Sequence, residues 1–548
     1  MPRTPTATRP NPITTMDDAG RARALTARCD RFLHWHGQRT PGDLLAELPD
    51  EVEPDRYGDG GVVAELEAEV AELLGKPAAV FMPSGTMAQQ IALRIHAEDV
   101  GSATALMHPT AHLLLHEDEG PQRLHGLTLR PVGSPVTLLS LSDLEAVAEP
   151  AGSLLLELPQ REIGGRLPSW EALVAQTTWA RERGMAVHMD GARLWEAAAG
   201  YDRPHAEVAA LFDSVYVSFY KGLGAIAGAC LVGEDDLVER AREWRHRHGG
   251  MLFALWPYAA SALAGLRARL DRMPAYLAHA RAIAAALNEV DGVEVVPDAP
   301  QVSMFHVAMR TTAADFRVQA HRLALEEGIA VWSQSWPSEL PSWQRVELTV
   351  GDATLAFTPE EVADVIARLA SPVGASGPAE QPVEVLAEDG SVADVVPRAR
   401  MRAEGLRHRS TYVVVLTSDD EVVVHRRAEW KDLAGGHWDL AFGGICDVGE
   451  PWEAAARREL AEEAGLEGVP LEYLGEVEWS AASPTDPASL VGRVWVARFD
   501  GELHPTDGEV TALDRVPLAE LDAWLASHEV VEDTRELIPP LLRNLLDG

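Results

Sequence analysis

Glu459, Glu462 and Glu463 stand at i, i+3 and i+4 of the helical stretch PWEAAARRELAEEAGLE (451–467). A helix puts all three on one face, where like charges repel. A divalent cation would offset that repulsion. Carboxylate oxygens, with room for waters and substrate phosphates, suit Mg²⁺ or Mn²⁺. Arg458 can orient the neighbouring carboxylates from behind. A solvated acidic helix would share the composition, but not the spacing. From Gly444, five residues lead to Glu450 and seven more to Arg458-Glu459. Leu460, Glu462-Glu463 and Gly465-Leu466 complete the string.

A second group of residues points to amine chemistry. Almost every basic residue is Arg, and the only lysines are Lys76, Lys221 and Lys431. Lys221, in SVYVSFYKGLGAIAGACLVG (214–233), follows an apolar run and precedes a Gly-rich turn. Partial desolvation there lowers its pKa and favours a Schiff base. Lys76, in LLGKPAAV, reads as a residue at a helix C-terminus. Asp190, in HMDGARLW, ends an apolar run, where α/β sheets bind ligands. It either caps the next helix or keeps a pyridinium nitrogen protonated. Ser84-Gly85-Thr86 leads into a helix in FMPSGTMAQQIAL, and is either an ordinary N-cap or an anion site built from free N–H groups.

These residues need a scaffold. Residues 17 to about 370 alternate amphipathic helical stretches (VAELEAEVAELLG, MAQQIALRIHAE) with short apolar runs. The runs AAVFMP, SLLLEL, MAVHMD, SVYVSF and ACLVG predict strands of an α/β sheet covered on both faces. After about residue 250 the pattern turns helical and alanine-rich, which predicts a compact subdomain. SPVGASGPAEQP (371–382) reads as a linker. Beyond it, TYVVVLTSDDEVVVHRRA (411–428) has a hairpin signature.

The chain has 548 residues, too many for one core. The expected organisation is a tail at 1–16, a domain at 17–370 (large subdomain about 50–245, small about 246–370), the linker 371–382 and a domain at 383–548. The tail lacks an apolar signal-peptide core, and no run of some 18 apolar residues predicts a membrane span. Cys29, Cys230 and Cys446 imply neither a disulfide framework nor a zinc cluster. A cytoplasmic location is expected. The net charge of −38 argues against nucleic acid as a partner.

RYGDGGVVAELEAEVAELLGK, FMPSGTMAQQ, AHLLLHE, LLLELPQREIGG, VHMDGARLWEAA and YKGLGA, in that order, resemble the threonine aldolases, within the fold-type I enzymes of pyridoxal 5′-phosphate (PLP). The resemblance implies a large α/β/α domain with a small C-terminal subdomain. It makes Lys221 the Schiff-base lysine and Asp190 the partner of the pyridine nitrogen. Ser84, Gly85 and Thr86 become the phosphate cradle, and His112 the imidazole stacked on the cofactor, able to help move protons. Arg193 and Arg345 match arginines that hold the cofactor and the substrate carboxylate. Arg247 resembles a residue reaching the phosphate of a neighbouring subunit, so a homodimer or homotetramer is expected. The implied reaction cleaves a β-hydroxy-α-amino acid to glycine and an aldehyde; β-elimination and racemisation are alternatives on the same scaffold.

Two departures stand out. The family's opening Arg-Ser-Asp-Thr strand, which contributes to the substrate site, is replaced by CDRFLHWHGQRTP, and the usual Ser before the lysine by Tyr220. Both bear on the substrate side chain, and a bulkier β-hydroxy amino acid than threonine is compatible with them.

The string from Gly444 to Leu466 resembles the Nudix box. The resemblance implies an α/β/α-sandwich domain that hydrolyses a nucleoside diphosphate derivative or related diphosphate with metal-activated water. Gly444 (through its carbonyl), Glu459, Glu462 and Glu463 would hold the metal, with Glu463 also catalytic and Glu509 a further candidate carboxylate. Arg426, Arg427 and Lys431 either hold the diphosphate or lie on the surface. The surroundings are similar to the subgroup near isopentenyl-diphosphate isomerase, but that enzyme's Cys-Gly-His run is Gly443-Gly444-Ile445 here, which favours hydrolysis. A domain that binds a nucleotide only to regulate its neighbour is the alternative.

Overall fold

The computed structural model describes residues 16–338, 340, 342–373, 378–431, 433–481, 488–505 and 508–547. Most of the expected tail, and residues 374–377 of the expected linker, lie outside them. The chain forms two compact units. One comprises Arg31–Thr311 and Ser335–Ala370; the other comprises the chain up to Asp30, Thr312–Gln334 and the chain from Ser371.

The first unit is built on a seven-stranded sheet of β1 (Ala78–Met82), β2 (Thr104–Met107), β3 (Thr128–Pro131), β4 (Ser153–Glu157), β5 (Ala186–Gly191), β6 (Ser214–Ser218) and β7 (Ala229–Gly233). Their order is β1-β7-β6-β5-β4-β2-β3. The pairs β2–β3, β2–β4, β4–β5 and β5–β6 are parallel, while β7 runs antiparallel to both its neighbours. Five of these strands are the apolar runs read from the sequence. β2 and β3 are only four residues each, too short for a periodic pattern.

Helix Gly85–Val100 starts where the Ser84 hydroxyl accepts from Met87 N–H and stops at Gly101, whose φ of 72° is left-handed. Its apolar face (Ala88, Ile91, Ile95) packs with Val238 of helix Asp235–Arg247 over Val80, Met82, Tyr216 and Leu231 of the sheet. Each fully buried Val, Leu or Ile side chain contributes about 1.5–3 kcal/mol. Beyond the sheet, helices Trp256–Arg269 and Met273–Leu287 give the expected helical texture, and a four-stranded antiparallel sheet follows. Its order is Trp336–Pro337, Gln344–Thr349, Met304–Met309, Val293–Val296.

The second unit has a seven-stranded mixed sheet. Its central strand, Arg407–Leu416, runs parallel to Ser489–Arg498 along its whole length. Side chains alternate across it with period two. Tyr412, Val414 and Leu416 pack with Leu525, Ile538 and Leu542 of two C-terminal helices. Val413 and Val415 pack with Trp452, Ala456 and Leu460 of helix Trp452–Ala464. The expected hairpin is short. Only Val415 and Leu416 pair with the strand Glu421–Arg427, because Ser410–Val413 are taken by Phe442–Ile445. Helix Ala313–Glu327, read from sequence within the small subdomain, packs inside this unit: Arg317 Nε donates to Val448 O at 2.9 Å, and His321 Nε2 lies 3.2 Å from Glu384 Oε1. Among the described residues no helix is long and apolar enough to cross a membrane.

Candidate active sites

In the first unit, parallel strands end together at one edge of the sheet, the edge where α/β sheets bind ligands. β5 delivers Asp190, 2% exposed. Its Oδ2 accepts from Gln89 Nε2 at 2.8 Å and its Oδ1 from Ala192 N–H at 3.1 Å. β4 delivers Glu157, whose carboxyl burial and Asp190 push up to about 7. Lys221 follows β6. Burial and then Arg193 lower its pKa, against the pull of Asp190 and Glu157. An amine shifted this way is a better nucleophile near neutral pH.

The rest of the set comes from helices. Gly85 begins the helix that carries Gln89, and a Cβ there would stand 2.0 Å from Tyr216 Oη, so the close approach admits only glycine. The Ser84 hydroxyl accepts its capping bond from Met87 N–H, while Thr86 is exposed. His112 opens the short helix His112–Leu115, with Nδ1 3.2 Å from Glu117 Oε1. That bond, and the charge of Asp190, raise its pKa despite burial. Glu117 is held in turn by Gln90 Nε2 at 3.0 Å. Tyr220 is partly exposed and hydrogen-bonds the buried Tyr216.

Arg193 is buried with its Nη2 3.1 Å from Glu347 Oε1, and Arg161 Nε is 2.7 Å from Glu347 Oε2. Burial would raise the Glu347 carboxyl, but the two arginines hold it below its usual range. Arg345, two residues away on the same strand, has a buried Nε with no hydrogen-bond partner among the described residues, and its guanidinium lies 5.9 Å from the Trp336 ring. Arg247 is exposed. It ion-pairs with Glu243 at 2.9 Å and lies over Trp244. These residues suit PLP: an acid for the ring nitrogen, a desolvated amine, and a glycine-opened helix start for the phosphate.

In the second unit, helix Trp452–Ala464 presents the glutamates to strand Phe442–Ile445. A Cβ on Gly444 would lie 2.8 Å from Glu459 Oε1, so backbone and carboxylate are in direct contact. Glu463 Oε2 accepts from Gly443 N–H at 2.9 Å. Burial and then Glu459 push the Glu463 carboxyl up to about 8, and burial also raises Glu459. Arg458 spans Glu450 (2.9 Å), Glu459 (2.7 Å) and Glu462 (3.2 Å). Lys431 Nζ contacts Glu509 and lies 3.7 Å from Glu463 Oε1. The glutamates are thus balanced by Arg458 and Lys431, and no three-acid cluster is drawn together among the described residues. Glu459 and Glu463 still bring buried carboxylate oxygens to the Gly443-Gly444 backbone, the donor type a divalent cation takes, while Glu462 is exposed.

A cavity of about 400 Å³ opens beside Gly443 and Gly444, lined also by Arg427, Asp439, Tyr412 and Trp479. Arg427 reaches Asp439 at 3.2 Å. Arg426 is exposed and bonds Gly436 O and Glu429. Of the three cations proposed for the diphosphate, the structure brings Arg427 to the cavity and Lys431 to Glu463.

Two family models match, a beta-eliminating lyase over residues 46–310 and a NUDIX domain over residues 406–540. The low-specificity L-threonine aldolase 1 of Arabidopsis thaliana is 30% identical over 281 residues, covering 49% of this chain and 78% of that protein. The low specificity L-threonine aldolase of Escherichia coli K12 is 33% identical over 236 residues, covering 42% and 70%. The chain belongs to the threonine aldolase family. A crystal structure from Listeria monocytogenes EGD-E, described as an L-allo-threonine aldolase, superposes with a TM-score of 0.60 at 39% identity. It covers 64% of this chain and 99% of that one. This threonine aldolase relative therefore carries the fold-type I architecture at its N-terminal side and a NUDIX domain after it.

Sequence reading did not single out Gln89, Glu117, Glu157, Arg161 or Glu347. The first four sit inside strings that carried the family resemblance (FMPSGTMAQQ, AHLLLHE, LLLELPQREIGG), so the signal was present. What makes them matter is a partner distant in sequence.

Proposed function

We propose that the first unit cleaves a β-hydroxy-α-amino acid to glycine and an aldehyde with PLP. Bound PLP would supply the electron sink that takes the pair left at Cα when Cα–Cβ breaks. Lys221 carries the cofactor, and Asp190, buried and hydrogen-bonded by Gln89, keeps its charge toward the ring nitrogen. Ser84, Gly85 and Thr86 receive the phosphate. Arg193 and Arg345 receive the substrate carboxylate. His112 turns Nδ1 to Glu117, which leaves Nε2 to exchange a proton with the substrate's β-hydroxyl. The chain acts as a homodimer or homotetramer, with the exposed Arg247 reaching a neighbouring subunit's phosphate.

The observation that carries this reading is Lys221 and Asp190 at the ends of adjacent parallel strands, with the lysine pKa lowered. The test is the visible spectrum of PLP-reconstituted protein, with glycine assayed after β-hydroxy amino acids are added. A band that Lys221→Ala abolishes, together with glycine release, supports the reading. Pyruvate and ammonia, or only an inverted amino acid, would replace it with elimination or racemisation.

The second unit, in the same proposal, hydrolyses a diphosphate-containing substrate with Mg²⁺ or Mn²⁺, which would activate the attacking water. Glu459, Glu462, Glu463 and the Gly444 carbonyl hold the metal, Arg458 orients the glutamates, and Arg427 and Lys431 meet the diphosphate. Cys446 is buried and its thiol is pushed up to about 12 by burial, which removes it as an acid–base group and favours hydrolysis over isomerisation. Appearance of the nucleoside monophosphate and the phosphorylated remainder from a panel of nucleoside diphosphate derivatives, with and without metal, tests this. Binding without cleavage of the diphosphate would make the domain a regulatory one.

A further inference from the structure

Lys221 is followed by the turn Gly222-Leu223-Gly224, and each carbonyl of that turn is taken by a side chain from elsewhere. Gly222 O lies 2.9 Å from His36 Nε2, Leu223 O accepts from Arg269 Nη1 at 3.1 Å, and Gly224 O accepts from Arg39. The Lys221 carbonyl is closed by Gly224 N–H at 2.8 Å. Behind the donors stands Asp352. Its carboxylate accepts from Arg269 Nε at 2.8 Å, and its N–H donates to His36 Nδ1 at 3.2 Å. With Nδ1 accepting, His36 Nε2 carries the proton it gives to Gly222. Arg272 and Tyr276 close on the same carboxylate.

The turn has no slack. A Cβ on Gly222 would stand 2.2 Å from Glu196 Oε1, and one on Gly224, whose φ is +67°, would stand 2.7 Å from Arg39 Nη2. Backbone carbonyls in a glycine turn need partners. Water would satisfy them and leave the turn loose; three anchored donors fix the peptide planes and with them the direction in which Lys221 leaves the backbone.

His36 and Arg39 lie in CDRFLHWHGQRTP, the segment that stands where the family has its opening substrate-site strand. We propose that His36 and Arg269, backed by Asp352, together with Arg39, ion-paired to Glu47 at 2.9 Å, form a clasp that positions Lys221, so that this segment serves the lysine and not the substrate side chain. The proposal rests on Lys221 being the cofactor lysine. It makes the three donors positioning residues.

The test compares His36→Ala, Arg39→Met and Arg39→Lys with the wild-type full chain. Hydrogen–deuterium exchange is read over residues 219–226 without PLP, and kcat and KM are read with it. In the first two variants exchange of this peptide speeds up about tenfold or more, as expected for loss of a hydrogen bond from a buried donor. kcat falls while KM for the amino acid stays within about twofold, the pattern of lost alignment. Arg39→Lys recovers part of both. Unchanged exchange, or a raised KM at constant kcat, would overturn the clasp and return the segment to the substrate pocket. If Arg39→Met does not fold, Asp352→Asn, which leaves the three donors in place but loosens the backing of His36 and Arg269, must show the same exchange and kcat changes. A wild-type chain that takes up no PLP sinks the proposed function instead, and exchange then decides the clasp by itself.

Discussion

Glu384 and Arg409 are buried against each other in the second unit, with Arg409 Nε 2.8 Å from Glu384 Oε2. The pair also grips the loop that leads into the glutamate helix. Arg409 donates to Glu450 O at 2.8 Å and Asp447 O at 3.0 Å, while Glu384 Oε1 accepts from Gly449 N–H at 2.7 Å. Removing one partner strands the other charge. Glu384→Leu should therefore cost about 3–5 kcal/mol of stability in urea unfolding, and the Glu384→Leu/Arg409→Leu double variant should recover much of it. Burial alone would raise the Glu384 carboxyl, but Arg409 and His321 hold it far below its usual range. Its contribution is therefore full above the ordinary carboxylate pKa and is lost as pH falls. A single variant as stable as the wild type would refute the role of the pair.

Gln89 donates to Asp190 inside the first unit, and both side chains are buried. A hydrogen bond to a buried carboxylate contributes about 1.5–3 kcal/mol. Gln89→Leu should leave Asp190 Oδ2 without its side-chain donor and weaken the proposed hold on the cofactor's ring nitrogen. The expected result is a roughly ten- to hundredfold loss of amino-acid cleavage, with fold and phosphate hydrolysis retained. Wild-type cleavage in this variant would mean that Asp190 keeps its charge without Gln89.

These two relationships show what the sequence could and could not disclose. Lys221, Asp190 and the glutamate row were legible because chemistry and spacing are local: three lysines leave few choices, and i, i+3, i+4 defines a helix face. The partners were not legible. Gln89 meets Asp190 across 101 positions, Arg161 meets Glu347 across 186, and His36 meets Gly222 across 186. Only the fold closes such distances. The same reason explains the short hairpin at Val415–Leu416, because the β-branched run says strand without saying which neighbour takes it. It also explains why residues 313–327 fall within the expected small subdomain while Arg317 and His321 pack within the second unit.

Ser214 sits between two buried histidines, 2.6 Å from His96 Nε2 and 2.7 Å from His188 Nδ1. Burial lowers them to about 4 and about 3, so both are neutral in the folded protein. The unfolded chain protonates them near their ordinary value of about 6.5. Between those values the unfolded state binds more protons, so stability falls as pH drops below about 6.5. Urea midpoints of the first unit should decline from pH 7.5 to pH 5, and less steeply in a His96→Gln/His188→Gln variant. A midpoint independent of pH would show that the pair carries charge inside the fold.

Glu463 joins the two halves of the second site. Its Oε2 takes the Gly443 N–H at 2.9 Å, and its Oε1 faces Lys431 at 3.7 Å. Substitution of groups that merely orient a metal ligand costs about 10–100-fold, so loss of a ligand should cost more. Glu463→Gln should lower diphosphate cleavage by more than about 100-fold. The amide keeps the shape and an oxygen for Gly443, so the melting temperature should hold. Chelator should mimic the variant in the wild type, and added Mg²⁺ or Mn²⁺ should restore the wild type only. Amino-acid cleavage should survive both treatments, because its residues lie in the other unit. Diphosphate cleavage that withstands both Glu463→Gln and chelator would remove metal-assisted hydrolysis from the second unit and leave the glutamate row as an ion-paired surface of its helix.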